Sequence, residues 1–307
     1  MRLRLTPKSL ASRLILLVGL MATGLLVSTL VSAVILATTG FALNATSLRW
    51  MQLLQAAAVF LLPAILMARF ASPATSGSLG ATPPPSLGEH IHPAMRYLHA
   101  DVRPTWRQAG LTVLSMILLI VPMNAIIEWN EAMHLPAWLG GLEAWMAERE
   151  ATANALIDTM LADATPLGIA ANILIMGVMA ALSEEFFFRG LLQRMLYDRW
   201  RNGVWAVMVA AVLFSAVHLQ FYGFVPRLLL GAYFGWLLVA TRCIWIPVVA
   251  HFTNNLLALL QYYLEHNPAT APGLDNIDAA LHTPGLAYIV YAVSLAAFGW
   301  TVTQIRR

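Results

Sequence analysis

The run AALSEEFFFRGLLQRML, residues 180–196, sets Glu184, Glu185 and Arg189 among apolar side chains. Two later stretches carry imidazoles in equally apolar surroundings. FSAVH (214–218) puts His218 four residues after Phe214, and HFTNN (251–255) puts His251 four residues before Asn255, with Asn254 on its flank. A helix turns about 100° per residue, so positions four apart share a face. Glu185 therefore pairs with Arg189, which lowers the burial cost of both charges. Glu184 points elsewhere, without a partner on its own helix. A carboxylate near imidazoles can bind water and take its proton. An imidazole N–H and an amide NH2 can hydrogen-bond an oxyanion. Together these are the parts of an acid–base hydrolase acting on an amide. A polar cluster that only pins helices together is the plainer reading. Several ionisable and amide groups on three helices, with one carboxylate unpaired, favour function over it.

The elements that must position these groups are membrane helices. The 307 residues are 59% hydrophobic and 11% charged, against about 25% charged in a soluble domain. The fold class expected is all-α, a polytopic integral membrane bundle of about eight helices. The candidate spans are 14–38, 48–68, 108–127, 167–193, 204–222, 225–240, 243–262 and 285–302, each near the roughly 20 residues that cross a bilayer. The first follows Arg2, Arg4, Lys8 and Arg13 as a signal peptide would, but its apolar run is too long for a cleaved signal and reads as a retained span.

Most arginines fall on one side of this path: the N-terminus, the 69–107 loop, the 194–202 turn, Arg242 and the tail Arg306–Arg307. The 128–165 loop, rich in acids, falls on the other. Both termini are then cytoplasmic. The basic residues report topology, so no nucleic-acid partner is expected. The organisation expected is two N-terminal spans (1–70), a flexible Pro/Gly/Ser-rich linker (71–106), a span with an amphipathic outer segment (107–164), a catalytic core (165–262) and an outer loop with the last span (263–307). Leu139, Leu142, Trp145 and Met146 supply the apolar positions of the amphipathic segment. Glu89, His90 and His92 read as a solvated loop, Gly231 and Gly235 as a close-packing pair, and Cys243 as buried filler.

EEFFFRG (184–190), FSAVH (214–218) and HFTNN (251–255) together resemble the three motifs of the CAAX prenyl protease and bacteriocin-processing (CPBP, or Abi) family of intramembrane proteases. The likeness covers about residues 165–262. It implies that Glu184 activates water, His218 helps to hold that water, and Glu185 and Arg189 support the site. His251 and Asn255 would bind the oxyanion, with Phe214 packed beside the site where substrate binds. It implies a membrane-associated protein or peptide as substrate. No cofactor is favoured. Zinc, held by Glu184, His218 and His251, is the alternative.

There is no His-Glu-x-x-His and no Gly-x-Gly-Asp, so the zinc site-2 and paired-aspartate designs are missing. Two other classes compete with the protease: a proton-coupled transporter, and a non-catalytic scaffold or immunity factor. The short loops and arginine bias suit a bacterial inner membrane.

Overall fold

A computed structural model describes residues 9–39, 44–71, 93–266 and 284–306. Among these the chain is helical, with no strand. We number the helices α1 (Leu10–Thr39), α2 (Ala45–Ala71), α3 (Trp106–Glu131), α4 (Gly140–Leu161), α5 (Pro166–Trp200), α6 (Gly203–Ala216), α7 (Phe224–Thr241), α8 (Trp245–Glu265) and α9 (Pro284–Ile305). Among the described residues, six stretches are long and apolar enough to cross a membrane, corresponding to α1, α2, α3, α5, α7 with its preceding turn, and α9. Eight were expected, and these six do not confirm that count. The other two, α6 and α8, lie where spans were expected. However, α6 has 14 residues, and α8 carries His251, Asn254 and Asn255 in its sequence.

Helix α5 is the axis of the bundle. Thr165 caps it by accepting from Gly168 N–H, and Pro166 sits at the first position, where its missing N–H costs nothing. Two stretches, 173–179 and 186–193, wind in the wider i→i+5 manner. Such turns free main-chain carbonyls and recur at functional sites. The helix ends at Arg201 in the left-handed region (φ 55°), and Asn202 caps α6 through the N–H groups of Val204 and Trp205. That tight turn makes α6 antiparallel to α5.

The N-terminal pair braces this axis. Gly24 of α1 faces the Ala58 carbonyl so closely that any Cβ would collide with it. On α2, the Phe60 ring packs against Phe187 and Phe188, with centroids 5.3 and 5.9 Å apart. Arg49 of α2 is buried. It donates to Asn172 Oδ1 (2.8 Å), the Met160 carbonyl (2.9 Å) and Asp163 Oδ2 (2.9 Å). Helices α1 and α2 are therefore packed into the core, and α9 lies along α3.

The linker expected over 71–106 divides in two. Residues 72–92, with Glu89, His90 and His92, lie outside the described residues. Residues 93–105 pack onto the core instead of running free. Leu98 is fully buried against Gly190, where a Cβ would stand 3.0 Å from it. Trp245 Nε1–H donates to the Ala100 carbonyl at 3.0 Å, and the buried Cys243 thiol lies 3.1 Å from the Val102 carbonyl. The outer segment is a helix, α4. Leu142 and Trp145 are exposed, with the Trp145 ring 5.3 Å from that of Phe221, while Glu143, Met146 and Glu150 are half-buried.

Candidate active site

Glu185 and Arg189 form a fully buried pair on α5, with Arg189 Nη1 donating to Glu185 Oε1 at 2.7 Å. The pairing expected from helical spacing is present. Another helix holds Nη2, while Nε is buried without a hydrogen-bond partner. Nη2 donates to the Gly231 carbonyl of α7 at 3.1 Å, and the Phe214 ring lies 4.3 Å from the guanidinium carbon. Gly231 belongs to the small-residue pair read as close packing. A Cβ there would meet Phe214 at 3.1 Å and Arg189 at 3.2 Å, so the glycine makes room for the arginine. One turn on, Gln193 donates to the Gly235 carbonyl at 3.1 Å.

Sequence spacing did not reveal a cross-helix contact. His251 Nδ1 lies 2.8 Å from the same Glu185 Oε1. A carboxylate accepts, so Nδ1 carries the hydrogen and Nε2 turns the other way. His218 repeats the pattern, with Nδ1 2.8 Å from the Phe214 carbonyl, which also can only accept. Both Nε2 atoms then face Glu184 Oε2, at 4.0 Å from His218 and 3.9 Å from His251. That Glu184 oxygen is buried and has no hydrogen-bond partner in the protein, although the side chain as a whole is 17% exposed. The expected face with an unpaired carboxylate is present, and three elements meet there.

Phe214 is 3% exposed. Its ring meets the imidazoles of His218 and His251 edge-on, with centroids 5.2 and 5.8 Å away. It walls the imidazoles against Arg189 and offers little surface to a substrate. Asn255 Nδ2 donates to the Met176 carbonyl in a wide-turn stretch of α5 at 2.8 Å, and its Oδ1 receives Asn254 at 3.3 Å. One amide hydrogen of Asn255 is thus committed to α5, and one remains.

Glu184, His218 and His251 are also the residues that would hold a metal. Zinc with N and O ligands at about 2.0–2.2 Å needs ligand atoms about 3.3 Å apart. The separations here are wider, and no group of three His, Cys, Asp or Glu among the described residues is at metal-holding distance. A water making two bonds of about 2.8 Å at a right angle spans about 4 Å.

Residues 166–257 match the family model of type II CAAX prenyl endopeptidases, Rce1-like. This stretch contains all three motifs, so the resemblance read from them holds over the segment that builds the site. The chain is also 26% identical over 88 residues to a Bacillus subtilis (strain 168) protein named "Putative membrane peptidase YdiL". That alignment is 29% of this chain and 36% of the relative, so the chain spans about a third of the length of the curated protein it matches. No solved structure matches. The Rce1-like segment begins at the first residue of α5 and ends within α8. Helices α1–α4 and α9 lie outside it.

Proposed function

We propose that this protein is an intramembrane endopeptidase that hydrolyses a peptide bond of a membrane-associated protein or peptide. One observation carries the reading: the unpartnered Glu184 oxygen faces the Nε2 atoms of two imidazoles at 4.0 and 3.9 Å. A water between Glu184 and His218 donates to both. Glu184 takes one of its protons as the oxygen attacks the scissile carbonyl. His218 Nε2 accepts the other hydrogen and holds the nucleophile in line. The carbonyl oxygen gains a negative charge, which protonated His251 meets through Nε2–H, together with the remaining amide hydrogen of Asn255. The proton held by Glu184 then passes to the leaving nitrogen, and the peptide bond breaks.

No cofactor enters this scheme. One observation favours a second, zinc-dependent reading. Both imidazoles place Nδ1 against an acceptor oxygen and turn Nε2 towards one carboxylate, which is how metal-ligating histidines are oriented. The wide separations favour water. The supporting setting is a bacterial inner membrane with both termini cytoplasmic, in line with the arginine distribution.

The test compares wild type with Glu184→Gln in proteoliposomes carrying membrane proteins of the host. New protein termini would be read by mass spectrometry. Termini that arise with wild type and vanish with Glu184→Gln support the protease. Identical termini in both would remove it. A phenotype that survives the substitution would point to a scaffold, and lost proton flux without cutting to a transporter.

A further inference from the structure

Helix α6 ends after 14 residues, about 21 Å of rise, while a bilayer core is about 30 Å thick. His218 therefore stands past the end of α6, on an irregular stretch, 217–223. Leu219 takes a left-handed backbone there, at φ 53°. The polar groups of an irregular backbone, where buried, need partners from protein or water.

Side chains from other helices satisfy it. Asn130, 4% exposed at the end of α3, accepts from Val225 N–H at 2.8 Å and donates to the Phe221 carbonyl at 3.3 Å. Glu150 of α4 accepts from the Gln220 side chain at 3.3 Å and from Tyr222 N–H at 3.4 Å. Ser215 donates to the Phe224 carbonyl at 2.7 Å, and Arg227 donates to the Gln220 carbonyl. Packing adds a ring contact, Trp145 of α4 against Phe221 with centroids 5.3 Å apart. An open groove of about 210 Å³ lies against Phe221, Phe224 and Val225, bounded by Met133 and Met146. With the groove on that side, the polar clamps and this one ring contact fix where the loop sits.

We propose that Asn130 and Glu150 are positioning residues for His218. They hold the 217–224 loop so that His218 Nε2 stays 4.0 Å from Glu184. This rests on the protease reading above, and it gives α3 and α4 a task in a reaction whose groups lie on α5, α8 and the α6–α7 loop. Neither residue touches the reacting atoms. Both act through His218.

The experiment is a double-mutant cycle in proteoliposomes. The probe is a quenched-fluorescent peptide carrying a cleavage sequence found with the wild-type protein. Glu150→Ala should lower kcat at least tenfold with KM unchanged, and Glu150→Ala/His218→Ala should be no slower than His218→Ala alone. Amide exchange across 217–224 should quicken at least tenfold in Glu150→Ala, while exchange in α5 stays as in wild type. Full activity in Glu150→Ala, or losses that multiply in the double variant, would overturn the proposal. Asn130→Ala removes a buried clamp and tests the same cycle. Where it fails to fold, Asn130→Asp keeps the bond from Val225 and sets a carboxylate against the Phe221 carbonyl, and the same kcat loss is expected. If Glu184→Gln still cuts, the protease reading falls on its own. Exchange rates then decide this proposal: faster exchange supports the clamp, and unchanged exchange overturns it.

Discussion

His251 Nδ1 donates to Glu185 Oε1 across 2.8 Å, and the same oxygen receives Arg189 at 2.7 Å. One carboxylate therefore joins α5 to α8 and sets the direction in which His251 Nε2 points. Arg189 is fully buried, as is Glu185. Arg189→Ala leaves the buried carboxylate with His251 Nδ1–H as its remaining partner, at a cost of up to about 3–5 kcal/mol. Yield and thermal midpoint of the detergent-solubilised protein should both fall. A midpoint equal to wild type would show that the pair does not bear on folding.

Gly231→Ala separates packing from chemistry. Alanine gains about 1 kcal/mol over glycine within a helix. Against that, its Cβ would lie 3.1–3.2 Å from Phe214, Ala211 and Arg189, all of them closely held. Overpacking of this kind costs about 1–3 kcal/mol, so a net loss of up to about 2 kcal/mol in thermal or denaturant unfolding is expected. Activity should fall further than stability, because the displaced guanidinium orients Glu185 and, through it, His251. A stabilised, fully active Gly231→Ala protein would contradict this account.

The helical spacing of the motifs made the Glu185–Arg189 pair and the unpaired Glu184 legible in the sequence, because both belong to a single helix. The Glu185–His251 bond was not legible, since nothing in either segment fixes how α5 and α8 face each other. The spans of α1, α2, α3, α5 and α9 stood out as long apolar runs, while α7, read over 225–240, was the shortest of the expected spans. The early end of α6 did not, because Val217 and Leu219 continue the apolar pattern while the backbone turns left-handed at Leu219. Arg49 was passed over as one charge near a span end. Its partners Asp163 and Asn172 lie more than a hundred residues away. Glu150 looked like the polar face of an amphipathic helix, and only the packing of α4 shows it turned inward.

Asp163 gives a pH dependence outside the spans. Hydrogen bonds from Thr165 and Arg49 hold its carboxyl down at about 2, against 3.8 for the free group. The folded value is lowered, so the stabilisation is complete above about pH 4 and is lost as pH falls towards 2. The side chain is one third exposed, so the effect is modest. The thermal midpoint of wild type should exceed that of Asp163→Asn at pH 5, and the gap should narrow on the way to pH 2.5. A gap that stays constant over that window would show that Arg49 gains nothing from the charge on Asp163.

Chelation divides the two mechanisms. In the water-based scheme Glu184 alone draws the proton from water, and protonated His251 supplies the electrophile, so exhaustive treatment with a strong chelator should leave the cleavage rate unchanged. Glu184→Gln should lower that rate by about 10²–10⁴ with the fold intact, since glutamine keeps the shape and loses the basic oxygen. A zinc site behaves differently. Its ion lowers the pKa of the bound water, so removing it abolishes activity and adding it back restores it. Metal content of the purified protein would be measured alongside. Reversible loss of activity with near-stoichiometric zinc would move Glu184, His218 and His251 from water-holding and oxyanion groups to ligands. For that, the 4.0 and 3.9 Å separations would have to close to about 3.3 Å around the ion. The closure would draw the 217–224 loop inward, against the hold of Asn130 on Phe221 and Val225. Zinc titration of wild type and Asn130→Ala would detect that strain, because a metal site should bind more tightly once the clamp is released. A water site should bind zinc weakly in both.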